Sequence, residues 1–206
     1  MRFLLRTFLA ITLLLASPLA HAERAAPVQL AAEDQAELAR IEAYLNDITT
    51  IKADFLQTAP NNYVAGGTFY LSRPGKLRFD YVEPTKDIIV ADGSSIWYYD
   101  SKLKDASHTS ISSTLADFLL RRTIKLGDDI TVTDFQRGNG MVQLVMTQTK
   151  DPGEGTLTLV LSEKPLQLRQ WRVVDAQQNT TEVTLQNPQY GIILDPALFV
   201  WHTPRH

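Results

Sequence analysis

The segment TFYLSRPGKLRFDY, residues 68–81, decides the fold. In its first half Phe69 and Leu71 alternate with Tyr70 and Ser72; in its second, Leu77, Phe79 and Tyr81 alternate with Lys76, Arg78 and Asp80. A period of two marks a strand with one apolar face, because successive side chains leave a strand on opposite sides. Pro74-Gly75 between the halves is turn punctuation, so the stretch predicts an antiparallel hairpin.

The same reading extends in both directions. Upstream, Ile51, Ala53 and Phe55 alternate with Lys52, Asp54 and Leu56, and Pro60-Asn61-Asn62 supplies a turn. Gly66-Gly67 marks a place where a bulge would invert the alternation. Before these, Leu38, Ile41, Leu45 and Ile48 fall three or four apart and predict a helix over 33–50, with Glu33 and Asp34 suited to its positive N-terminal end. Downstream, 87–91 and 96–99 flank Asp92-Gly93 as a second hairpin, and 101–113 reads as a polar loop.

A second helix then opens with Thr114 as cap and Asp117 as its capping-box partner, Leu115, Phe118 and Leu119 on one face, and Arg121, Arg122 and Lys125 toward its C-terminal end. Beyond Gly127, short strands are expected over 130–135, 141–147, 156–161, 166–174 and 181–185, separated by Gly/Pro/Asn turns. Some ten strands and two helices predict a mainly β protein, an antiparallel sheet that curls on itself. Two short helices over one concave face leave either an ordinary packed core or an apolar cavity for a greasy ligand.

Residues 1–22 have the form of an export signal. Arg2 and Arg6 are followed by an apolar run and by Ala20-His21-Ala22, with cleavage expected before Glu23. Residues 23–206 then form a single domain, and losing two Arg moves the net charge from -3 to -5. The absence of cysteine excludes a disulfide scaffold, a cysteine-ligated metal centre and a lipid anchor on cysteine. No basic cluster is dense enough for nucleic acid, and no apolar run after Ala22 is long enough to cross a membrane.

Catalytic signals are weak throughout. His108, His202 and His206 have no partners at metal-ligand spacing, so no metal is expected. Ser107-His108 near Asp105 lacks the elbow of a nucleophile, there is no phosphate-cradling glycine loop, and Asp128-Asp129 reads as a turn. Neither a catalytic residue nor a cofactor is expected.

The chain resembles the LolA-type outer-membrane lipoprotein carrier proteins of Gram-negative bacteria. The resemblance runs through IKADFLQ at 51–57, GTFYLSRPGKLRFDY at 67–81, Pro84, IVADG at 89–93, IWYYD at 96–100 and LDPALF at 194–199. It implies an incomplete, half-closed β-barrel with helices as a lid over a hydrophobic cavity, and a periplasmic monomer that works without chemistry. Such a carrier takes triacylated lipoproteins from an inner-membrane ABC transporter and delivers them to an outer-membrane receptor. An alternative keeps the fold for an acyl-chain or lipid sensor, serving glycolipid biogenesis or envelope signalling.

The family's latch is an Arg before the hairpin Pro, a position that resembles Arg73 here. Its five donors can bond several lid carbonyls where a lysine could not. The resemblance makes Phe55, Phe69, Leu71, Leu77, Phe79, Tyr81, Val90, Ile96 and Tyr98 the expected cavity wall. Leu38, Ile41, Leu45 and Ile48, with Leu115, Phe118 and Leu119, are the expected lid contacts. Hairpins in the family often carry a protruding aromatic after the Arg-Pro pair for docking to the transporter; Gly75, Lys76 and Leu77 stand there instead.

Overall fold

The computed structural model describes residues 25–114 and 116–204. The expected export signal, Leu115 and His206 lie outside the described residues. The chain begins with helix α1 (Ala32–Asp47) and continues through β1 (Thr50–Thr58), β2 (Val64–Ser72), β3 (Lys76–Tyr81), β4 (Ile88–Asp92), β5 (Ser95–Asp100) and β6 (Asp105–Ser110). A 3-10 turn (Ile111–Ser113) leads into α2 (Ala116–Leu120). The second half is β7 (Ile130–Gly138), β8 (Met141–Gln148), β9 (Gly155–Glu163), β10 (Leu166–Asp175) and β11 (Thr180–Tyr190), with a closing 3-10 turn (Pro196–Phe199).

All eleven strands form one antiparallel sheet in the order β6-β5-β4-β3-β2-β1-β11-β10-β9-β8-β7. Its ends, β6 and β7, do not pair, so the barrel is incomplete. The chain passes from one free edge to the other through α2. Curvature brings distant strands together: Phe69 of β2 and Trp171 of β10 are three strands apart in the sheet, yet their ring centroids lie 5.4 Å from each other. The concave face carries the apolar alternation, and Ile41 and Leu45 of α1, both fully buried, pack into it.

Three sequence expectations change. The first helix stops at Asp47, with Ile48 already extended and β1 starting at Thr50. Ile48, Thr49, Thr50 and Ile51 are a β-branched run, which favours strand over helix and explains the earlier stop. The polar loop over 101–113 contains β6, paired residue by residue with β5. Its side chains are nearly all exposed, so there was no apolar alternation to read, as suits a sheet edge. The capping box does not form: the Thr114 hydroxyl donates to the Ile111 carbonyl, and the Asp117 carboxylate turns to Arg121.

The register through Gly66 and Gly67 is unbroken. These glycines serve close approach instead: a Cβ on Gly67 would stand 2.0 Å from the Asp80 carbonyl oxygen and 2.9 Å from the Phe55 ring. The bulges lie elsewhere, between Lys52 and Asp54, Val132 and Asp134, and Leu168 and Gln170.

Candidate functional site: an apolar cavity between the sheet and α2

An apolar cavity of about 100 Å³ lies between the concave sheet and α2. Phe69 and Leu71 of β2 and Leu77 and Phe79 of β3 form one wall; they share a face because Phe69 pairs with Phe79 and Leu71 with Leu77. Leu157 of β9 and Leu168, Trp171 and Val173 of β10 form the opposite wall. Ile48 and Ile51 close one side, and Ala116 and Leu119 of α2 form the cover. Among the described residues of this lining the single charged one is Arg73.

Aromatic packing stiffens the floor. Phe69 lies 4.8 Å from Phe79, and Phe55 meets both Phe79 and Tyr81 edge-on at 5.0 Å. Phe55 is thereby buried behind the cavity wall, and Tyr81 donates its hydroxyl to Gln57 Oε1 at 2.6 Å. Burial pushes the Tyr81 phenol well above its usual range and keeps it neutral.

Arg73 stands at the tip of the β2–β3 hairpin. Its Nε donates to the Leu119 carbonyl of α2 at 2.7 Å, and its Nη1 donates to the Leu45 carbonyl of α1. One guanidinium thus bridges both helices. The neighbouring main chain repeats the grip, with Gly75 N–H donating to the Leu120 carbonyl at 2.7 Å and Arg73 N–H to Thr49. Burial pulls the guanidinium down to about 10, so it remains charged at neutral pH and its partners are neutral dipoles.

The expected residues fall into distinct places. Phe69, Leu71, Leu77 and Phe79 line the cavity, as do Ile48 and Leu119 from the expected lid. Ile41 and Leu45 are buried in the core, with Leu38 and Ile96 partly buried against it. Phe118 is buried on the other side of α2, beside a polar cleft. Leu115 lies outside the described residues.

Two assignments need correction. Val90 is opposite Arg78, on the face away from Phe79, where the turn Pro196–Phe199 packs on β3 and β4. In this strand Ile89 and Ala91 face inward, one residue out of phase with the sequence reading. Tyr98 is 39% exposed and donates its hydroxyl to Asp87 near the sheet edge, so it does not reach the cavity.

Trp171, Leu168 and Leu157 were missed. The bulge in β10 places Leu168 and Trp171, three residues apart, on the same wall, a spacing that strict alternation assigns to opposite faces. Among the described residues no group of His, Cys, Asp and Glu is placed to hold a metal. His108 stacks on Trp97 at 4.4 Å, on the convex side, and Trp201 stacks on Trp97 at 5.3 Å.

An enclosed apolar cavity is a binding architecture, and comparison with known proteins gives its family. The model of the family "Outer membrane lipoprotein carrier protein LolA" matches residues 46–202. The chain belongs to the LolA family. The match covers the whole sheet and α2. Similar relatives include the outer-membrane lipoprotein carrier protein of Methylococcus capsulatus, 29% identical over 80% of this chain and 83% of that protein. That of Chromobacterium violaceum is 26% identical over 88% of each. A solved LolA superfamily protein from Nitrosomonas europaea covers 79% of this chain and 97% of its own, with 9% identity and a TM-score of 0.43. LolA family members are periplasmic carriers and not enzymes.

Proposed function

We propose that this LolA family protein shields the acyl chains of lipoproteins released from the inner membrane by an ABC transporter and delivers them to an outer-membrane receptor. The observation that carries this reading is the cavity closed by α2, apolar apart from Arg73, which joins the lid to the hairpin. The physical need is large: at about 0.8 kcal/mol per methylene, exposing one acyl chain of ~14 methylenes costs ~11 kcal/mol. A diffusible apolar enclosure lowers that barrier.

At about 100 Å³ the closed cavity is smaller than the roughly 300–1,000 Å³ of pockets that hold drug-sized ligands. Cargo therefore binds with the lid displaced. Leu119 and Ala116 move away from the wall and expose the apolar surface beneath, while the sheet keeps its curvature. No helix of the described residues is long and apolar enough to cross a membrane.

The test is incubation of the mature protein with spheroplasts, followed by assay of the supernatant for newly made lipoproteins bound one to one. Release supports the carrier role. Absence of release, with native mass spectrometry showing a bound lipid instead, moves the cavity to a lipid-sensing or glycolipid role.

A further inference from the structure

α2 links the two free edges of the sheet, yet it has only five residues, too few for a helix stable by itself. Its position depends on what grips it from either side. Toward the β2–β3 hairpin the grips are Arg73 and Gly75, acting on neutral carbonyls. On the opposite side stands Arg121, the residue after α2. It donates to Asp117, one turn back within the lid, and its Nη1 lies 2.8 and 2.9 Å from the two carboxylate oxygens of Asp129, in the turn leading into β7.

These charges sit in a polar cleft shared with Gln148 and Lys150. α2 is the partition: Ala116 and Leu119 face the apolar cavity, whereas Asp117 and Phe118 face the cleft. α1 is anchored to β10 and to the segment that follows α2, where the Glu42 carboxylate also accepts from the Leu126 N–H. Asn46 accepts from the Ile124 N–H at 2.8 Å and donates to the Ile124 carbonyl at 2.9 Å, and the Tyr44 hydroxyl accepts from the Leu168 N–H. The short stretch between this pinned segment and the hairpin grip, α2 itself, is the element left to move.

We propose that Arg121 is a second latch on the lid, an ion pair with Asp129 that ties α2 to the β7 edge and makes lid closure sensitive to ionic strength. The inference rests on reading α2 as the lid. The two latches differ physically. Arg73 holds buried dipoles, which salt hardly reaches, whereas the Asp129 side chain is 57% exposed and its pairing is screened as the Debye length shrinks. Arg121 is a positioning residue: it acts on cargo only through α2.

Hydrogen exchange of the full chain, followed at the Gly75 amide that donates to Leu120, tests this without any cargo. In the wild type, protection at Gly75 falls about two- to five-fold between about 0.02 M and about 0.5 M sodium chloride. Asp129→Asn shows the reduced protection already at low salt and a flat salt response, while Asp129→Glu restores the wild-type slope. Arg73→Leu loses protection but keeps the slope. Amides of β1 paired with β2 serve as the salt-insensitive reference. Equal salt slopes in wild type and Asp129→Asn overturn the latch. Failure of lipoprotein release from spheroplasts with the exchange pattern intact overturns the carrier reading and leaves the latch standing.

Discussion

The Nε of Arg73 donates to the carbonyl of Leu119 at 2.7 Å, so a hairpin tip in the first half of the chain holds α2, which follows β6. Arg73→Leu removes this bond and the one to Leu45 together. Hydrogen bonds to charged groups contribute about 1.5–3 kcal/mol, so lid opening should rise roughly 10- to 100-fold by hydrogen exchange. Global stability should fall by less, because removing the guanidinium also removes the desolvation cost seen in its lowered pKa. Lipoprotein should load but be retained, with hand-off impaired more than loading. Equal loading and transfer in mutant and wild type would sink the role, and Arg73→Lys should behave as an intermediate, since one ammonium cannot reproduce the fork that spans two carbonyls.

Trp171 lines the cavity, while Trp97 and Trp201 stack on each other outside it. The chain has three tryptophans, so a Trp97→Phe, Trp201→Phe background leaves one emitter in the cavity wall. Adding a fatty-acid analogue should shift that emission, and an unchanged spectrum at saturating ligand would remove Trp171 from the binding wall. Trp171→Ala should cost about 3–5 kcal/mol in urea unfolding, the range for deleting a buried large aromatic.

Gly67→Ala should destabilise the sheet although it adds a single methyl. The new Cβ meets the Asp80 carbonyl oxygen at 2.0 Å, a backbone atom that cannot rotate away. A loss of about 1–3 kcal/mol is expected, the usual range for overpacking, read as a lower urea midpoint. Gly138→Ala, with open space around its Cβ position, is the control and should unfold close to wild type.

Asp92 organises the β4–β5 turn. Burial would raise its pKa, but hydrogen bonds from the Ser95 and Ser94 amides, the Trp97 indole and the Ser94 hydroxyl outweigh this and lower it to about 2. A depressed acid pKa contributes stability above the unfolded value and loses it as pH falls through the folded value. The contribution should therefore disappear between the ordinary aspartate value of 3.8 and about 2. Because the carboxylate is partly exposed, the effect should be on the order of 1 kcal/mol. Urea melts of wild type and Asp92→Asn should differ at neutral pH and converge in that acid window; a constant gap would contradict the assignment.

Most of the strands were legible one by one because their signals are local, whereas the pairing of β1 with β11 was not. Alternation in 68–81 requires only neighbouring residues, and Pro74-Gly75 sets the reversal between β2 and β3. Where that signal was missing or shifted, the reading slipped. β6 is polar on both faces and offers no period, and Val90 lies in a strand so apolar that Ile88, Ile89 and Val90 could each have been the inward residue.

The sequence alone determined a mainly β chain with two helices, the hairpin that carries Arg73, and the resemblance to lipoprotein carriers. Tertiary structure decided which side chains meet. Trp171 reaches the wall opposite Phe69 because a bulge resets the phase of β10 and the sheet curls across three strands. Arg73 gains its meaning from two carbonyls, at Leu45 and Leu119, and carbonyl direction is a property of the folded backbone that residue identity does not encode. Faces and periods are short-range consequences of strand geometry; closure of a lid depends on contacts between segments far apart in the chain, and those exist only once the sheet has bent.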